Sequence, residues 1–140
     1  MQFIQLVYVS AYVNQYGLDL PKLVEKTALD NDDGGVLGMT LFSNGNIMQL
    51  LEGRPRDVDS IFQKLQSHAH QWNVFEMFRG PIENLSQSET SIGFDTHSYK
   101  LISKTDSEIA LFKLNAIEVD QRLKESPAKA FMLQFAADHW

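Results

Sequence analysis

Gly35-Val36-Leu37-Gly38-Met39-Thr40-Leu41-Phe42-Ser43-Asn44-Gly45-Asn46-Ile47-Met48-Gln49-Leu50-Leu51-Glu52-Gly53 reads as two buried strands joined by a turn. Asn44-Gly45 suits the positive φ values of a tight hairpin, and apolar runs of strand length flank it. One residue is out of place. Gln49 lies within Ile47-Met48-Gln49-Leu50-Leu51, where a period of two puts Ile47, Gln49 and Leu51 on one face and Met48 and Leu50 on the other. Both faces read as buried, and a buried primary amide with an unpaired group costs about 1–3 kcal/mol. Two readings meet that cost: a core glutamine satisfied by backbone or water, and a ligand contact.

Upstream, Met1 to Ser10 is a strand with Ile4, Leu6 and Tyr8 on one face and Phe3, Val7 and Val9 on the other. Tyr8 is the polar exception on its face, and a core tyrosine whose hydroxyl reaches one partner accounts for it. Leu18 to Asp30 reads as a helix with Pro21 in its first turn and Leu20, Leu23, Val24 and Thr27 along one stripe. Asn31-Asp32-Asp33-Gly34-Gly35 breaks it, and Asn31 alone reads as a helix terminator tolerant of the left-handed conformation.

Downstream, Arg54-Pro55-Arg56-Asp57 opens a second helix running to about Ser67, with Val58, Ile61, Phe62 and Leu65 as its apolar stripe. Lys64 lies beside that stripe and alone reads as a solvated lysine. Trp72 to Ile82 is a fourth strand and Thr90 to Phe94 a fifth. The expected fold is α+β: a ferredoxin-like βαββαββ sheet with two helices on one face. Its first and third strands are neighbours, so Tyr8 and Gln49 are expected to meet over the sheet, facing the gap between the helices. Ser107 to about Asn115 is expected to be helical, and Ser126-Pro127-Ala128-Lys129 to begin another helix with serine as N-cap. Together they are expected to cap the sheet face lined by Phe3, Val7 and Val9.

Composition narrows the function classes. The chain has 140 residues, 44% hydrophobic and 21% charged, which fits one soluble domain with a single core. No apolar run approaches the roughly 20 residues that span a bilayer, so a membrane protein is not expected. Twelve basic and eighteen acidic residues give a net charge of −6, which repels a phosphate backbone, and no nucleic-acid partner is expected. Cysteine is absent, which removes disulfides, thiolate catalysis and sulfur-ligated metal. His68, His70, His97 and His139 lack ligand spacing, so no metal site is expected. The opening Met1-Gln2-Phe3-Ile4-Gln5 lacks the positive region and cleavage site of a signal peptide, and a cytoplasmic location is expected. With no nucleophile and base pair apparent, an enzyme is not expected.

Tyr8, Asn31 and Gln49 occur in an order and at separations that resemble the BLUF family, the sensors of blue light using flavin adenine dinucleotide. The resemblance runs from residue 2 to about 97, with a tail like that of the family's short single-domain members. Leu6-Val7-Tyr8-Val9-Ser10 is similar to the family's opening strand, whose tyrosine is the photochemical electron donor. Asn31 followed by Gly35-Val36-Leu37-Gly38 resembles its asparagine-then-Gly-Ile-Thr-Gly segment. Met48-Gln49-Leu50-Leu51-Glu52-Gly53 resembles its Gln-Val-Leu-Glu-Gly motif.

The resemblance implies a flavin-binding domain over residues 1–97 and a C-terminal helical cap over 98–140 packed on the same domain. It implies an isoalloxazine ring between the two helices, with Asn31 on its polar edge and Gln49 bridging Tyr8 to it. Leu23, Val24, Thr27, Leu41, Ile47 and Leu65 fall where the family lines its flavin pocket, and Lys64 where it carries a basic residue near the phosphates. FAD is the expected cofactor, and the same ring pocket accepts FMN or riboflavin. By the same resemblance, blue light excites the flavin, Tyr8 gives up an electron and a proton, and the Gln49 amide rotates or tautomerises. The altered hydrogen bonds then bias the fifth strand and the cap between two arrangements that a protein partner reads. The expected function is a blue-light photoreceptor without an attached effector domain, acting as a homo-oligomer.

Three segments depart from the family pattern. Thr90-Ser91-Ile92-Gly93-Phe94 stands where Trp-Ser-Met-Gly-Phe is frequent, so signal relay falls to Thr90, Ser91 and Ile92. Leu37 replaces the threonine of Gly-Ile-Thr-Gly, and His68-Ala69-His70-Gln71 stands where Asp-x-Arg-His is common. These departures leave one alternative, a light-independent interaction module on a BLUF-like scaffold with weakened or lost flavin binding.

Overall fold

The computed structural model describes residues 2–12, 35–43, 45–66, 71–95 and 110–138. The helix expected over 18–30, with Leu23, Val24 and Thr27, lies outside the described residues, as do Asn31 and the four histidines.

Strands β1 (Phe3–Tyr12), β2 (Leu37–Ser43), β3 (Asn46–Gly53), β4 (Gln71–Ile82), β5 (Ser91–Phe94) and β6 (Ala110–Lys113) form one mixed sheet in the order β4-β1-β3-β2-β5-β6. β1 lies between β3 and β4 and is antiparallel to both, as the ferredoxin-like pattern requires. β5 and β6 extend the sheet in parallel from β2. The hairpin forms at the expected place: Gly45 has φ 81°, and Ser43 and Asn46 close the β2–β3 ladder.

Helix α1 (Pro55–Gln66) starts on a proline, which lacks only a donor that the first turn leaves unpaired anyway. Its Val58, Ile61 and Phe62 pack with Ile4, Leu6, Tyr8 and Leu51 on one sheet face. The opposite face is covered by α2 (Ala116–Arg122) and α3 (Pro127–Asp138). Val119, Met132 and Phe135 from these helices, with Leu123 just past α2, bury Val7, Met39, Leu41, Met48 and Leu50, with Val9 alongside. The cap therefore sits where the apolar face of β1 placed it.

One helix expected in the tail is not there. Ala110–Lys113, inside the span read as helical from Ser107 to Asn115, is strand β6. The run Ala110-Leu111-Phe112 is too short for its period to separate helix from strand, and the sheet decides the matter. Gly93 on the neighbouring β5 leaves the space that the Phe112 ring fills, since a β-carbon there would lie 2.6 Å and 2.7 Å from ring atoms of Phe112. Asn115 opens a helix instead of closing one: its side chain caps α2 by accepting the Glu118 N–H at 2.9 Å. Pro127 does begin α3, as expected.

Candidate functional site

Strand register assembles the site. Tyr8 opposes Gln49 across β1 and β3, Gln49 opposes Thr40 across β3 and β2, and Thr40 opposes Ile92 across β2 and β5. Residues directly opposite in a ladder point to the same face, so the four form one row across four strands, on the side that α1 covers. Apolar Ile47, Phe42 and Phe94 continue that face on one side of the row, all buried, with Phe42 and Phe94 ring centroids 5.8 Å apart. The Tyr8 ring rests against Phe62 of α1, with centroids 5.3 Å apart and planes tilted by 46°.

The polar atoms of the row are not all matched. The Tyr8 hydroxyl donates to Gln49 Oε1. Gln49 Nε2 and Thr40 Oγ1 have no hydrogen-bond partner among the described residues, although both atoms are buried. Tyr8 is fully buried, Gln49 2% exposed and Thr40 8% exposed. Buried donors are paired in the great majority of cases, so a free amide in this position points to a ligand with an acceptor. A flavin fits on this ground: it offers acceptors to Nε2 and a flat apolar surface to Ile47, Phe42 and Phe94.

The other expected site residues fall out unevenly. Ile47 lies on the same face of β3 as Gln49, and Leu65 lies within α1. Lys64 is exposed in the last turn of α1. Leu41, expected to line the flavin pocket, is on the opposite face: it opposes Met48 and packs with Met39, Leu50 and Met132 under the cap. The register moves it there, because a one-residue step along a strand changes the face. Of the relay residues, Ile92 belongs to the row, whereas Ser91 opposes Met39 on the cap side. Thr90 Oγ1 accepts the Gly38 N–H at 3.3 Å and so holds the entry of β5 to β2.

Sequence reasoning missed Thr40 and a second polar constellation, three residues along β1 on the opposite face. Gln5 opposes Glu52, and both are fully buried. Glu52 Oε1 accepts the backbone N–H groups of Ser86 at 3.0 Å and Gln87 at 3.2 Å. Its Oε2 accepts Gln5 Nε2 at 2.6 Å and the Ser86 hydroxyl. Gln5 Nε2 also donates to Ser126 Oγ at 2.8 Å, and Gln5 Oε1 accepts the Ala128 N–H at 3.2 Å in the first turn of α3. The Lys124 N–H donates to the Ser86 carbonyl at 2.9 Å. The signal was present in the sequence, since Gln5 interrupts the Phe3, Val7, Val9 face as Gln49 interrupts its own.

A cavity of about 440 Å³ lined by Val9, Ile47, Met48, Gln134, Phe135 and Asp138, among others, lies beside the end of α3; Ile47 lines it, but Tyr8, Gln49, Thr40 and Ile92 do not. Among the described residues no group of His, Asp and Glu could hold a metal ion, and no helix is long and apolar enough to cross a membrane.

A ferredoxin-like sheet carrying a buried phenol–amide pair on one face and a helical cap on the other defines a small α+β domain. The family model described as BLUF, sensors of blue-light using FAD, matches residues 3–93, and the chain belongs to that family. Solved structures similar in fold include Klebsiella pneumoniae BlrP1 as a manganese/cy-diGMP complex at pH 9.0, with 22% identity and a TM-score of 0.73 over 97% of this chain and 33% of that one. The BlrP1 BLUF structure has 22% identity and a TM-score of 0.60, covering 77% of this chain and 80% of that one. BlsA in its photo-activated state has 18% identity and a TM-score of 0.60, covering 96% and 94%. The chain spans about a third of the length of the BlrP1 complex it matches. A search of curated proteins gave no match.

Proposed function

We propose that the chain binds a flavin over the Tyr8–Gln49–Thr40–Ile92 row and acts as a blue-light photosensor whose output passes through β5 and the cap to a protein partner. The observation that carries this reading is the half-used amide: Tyr8 engages Gln49 Oε1 while the buried Nε2 is left without an acceptor among the described residues. Family membership supplies the ligand class. FAD is the first candidate, and FMN occurs in one of the BlrP1 structures.

When bound, the flavin supplies blue-light absorption and an electron acceptor. Tyr8 would be the electron donor to it. A phenol that gave up an electron would become strongly acidic, and the existing hydrogen bond would pass its proton to Gln49 Oε1 until electron and proton return to Tyr8. Gln49 suits the next step because an amide can exchange its acceptor and donor ends without changing shape. Phe62 keeps the Tyr8 ring in place against α1 during the exchange. In the reading implied by the family, Asn31 holds the polar edge of the ring, Leu23, Val24, Thr27, Ile47 and Leu65 wall the pocket, and Lys64 reaches the phosphates. Ile92, next to Thr40 in the row, is where the change enters β5.

A second reading, the light-independent interaction module, draws on the aliphatic side chain of Ile92 at the end of the row, which offers the amide no hydrogen bond. Flavin titration into purified protein separates the two. The photosensor reading expects a yellow, one-to-one complex for the wild type and for Tyr8→Phe alike, because removing the hydroxyl leaves the apolar pocket whole. Protein that stays colourless with FAD, FMN and riboflavin contradicts it and favours the interaction module.

A further inference from the structure

Two buried polar atoms on the face of Tyr8 lack partners among the described residues, Gln49 Nε2 and Thr40 Oγ1. They belong to residues directly opposite one another in the β2–β3 ladder. Such side chains have β-carbons about 4.5–5.5 Å apart and face the same way. On its other side Thr40 opposes Ile92, which has no side-chain polar atom. With Thr40 8% exposed, bulk water does not satisfy the hydroxyl. A valine would fill the same space without the roughly 1–3 kcal/mol cost of an unmade buried hydrogen bond. The hydroxyl therefore has a use that packing does not supply, and the residue directly opposite it carries the other unpaired atom of this face.

We propose that Thr40 is a positioning residue of the switch: its hydroxyl holds the free end of the Gln49 amide and favours the exchanged orientation over the starting one. The inference rests on the photosensor reading above. In the starting orientation Tyr8 occupies Gln49 Oε1, and neither Nε2 nor Thr40 Oγ1 has a partner among the described residues. After the ends exchange, Oε1 faces Thr40 and the hydroxyl donates to it, while Nε2 donates to the Tyr8 oxygen. A threonine hydroxyl can make that bond because it has a hydrogen to donate. The arrangements are not equivalent. In the first the Thr40 hydrogen finds no acceptor in the row, and in the second it does, so the hydroxyl stabilises the exchanged amide more.

The test compares flavin-loaded wild type with Thr40→Val, Thr40→Ala and Thr40→Ser. Two quantities are read: the rate at which the light-induced absorption shift decays in the dark, and the Gln49 carbonyl band in infrared difference spectra with isotope-labelled glutamine. Loss of one hydrogen bond predicts that Val and Ala return to the dark state about two- to tenfold faster, while Ser stays within about twofold of wild type. In Val and Ala the lit-state carbonyl band moves to higher wavenumber, because the oxygen has lost a donor. Wild-type decay in both Val and Ala overturns the role of Thr40 and leaves the photosensor reading standing. Faster decay with an unmoved carbonyl band also overturns it, since altered packing alone does that. A wild type that binds no flavin, or binds it without a light-induced shift, overturns both.

Discussion

Gln49 has more hydrogen-bonding capacity than the described residues around it use, and that excess is the physical content of the site. The carbonyl end meets Tyr8, and the amine end meets nothing described. Strand period set each residue on one face of its own strand, and the adjacency of the first and third strands in the expected topology brought the two together, so the pair was legible in the sequence. Thr40 was legible too. A two-residue turn at Asn44-Gly45 makes Ser43 oppose Asn46, and counting back from there places Thr40 opposite Gln49 and Leu41 opposite Met48. The same count removes Leu41 from the flavin face, where motif position had put it. Gln49→Leu keeps the apolar shape but has no ends to exchange, so this variant is expected to bind flavin and lose the switch.

At the scale of elements, the sheet is gripped from both sides by the same two strands. β1 and β3 present Tyr8 and Gln49 to α1, and three residues away they present Gln5 and Glu52 to the segment around Ser86 and to the start of α3. The β1–β3 ladder runs without a break through both pairs. Gln5→Leu strips Ser126 and the Ala128 N–H of their partner, so a stability loss of about 1–3 kcal/mol is expected, together with faster amide exchange at Ala128. Urea unfolding and hydrogen exchange check the two effects; an unchanged midpoint and unchanged exchange contradict the anchoring role. On the outer side, the Phe112 ring lies over Gly93 and under the Arg122 guanidinium, which is 4.3 Å from its centroid. Gly93→Ala forces that ring to move and is expected to cost about 1–3 kcal/mol through overpacking, read as a lower Tm. β6 itself was not legible, because an apolar run of this length has no period of its own and takes its form from the edge it joins.

Across the whole molecule, the division of faces follows from alternation along β1. Ile4, Leu6 and Tyr8 face α1, and Val7 and Val9 face the cap. That much of the architecture is written in the alternation itself, and the helical nature of α3 in its Ser-Pro start. The network under the cap is harder to read, because Gln5, Glu52, Ser86 and Ser126 are distant in sequence and only the fold brings them together. The Asn31 side of the flavin reading lies outside the described residues and rests on the family resemblance. The molecule as a whole places the Tyr8–Gln49 pair on one face and a helical cap on the other, with the sheet between them. The switch is read most directly in the light-minus-dark absorption spectrum of the flavin-loaded protein beside that of Gln49→Leu. A reversible red shift of the flavin band is expected in the wild type and none in the variant; a wild type without the shift, or a variant that retains it, overturns the role of the Tyr8–Gln49 pair.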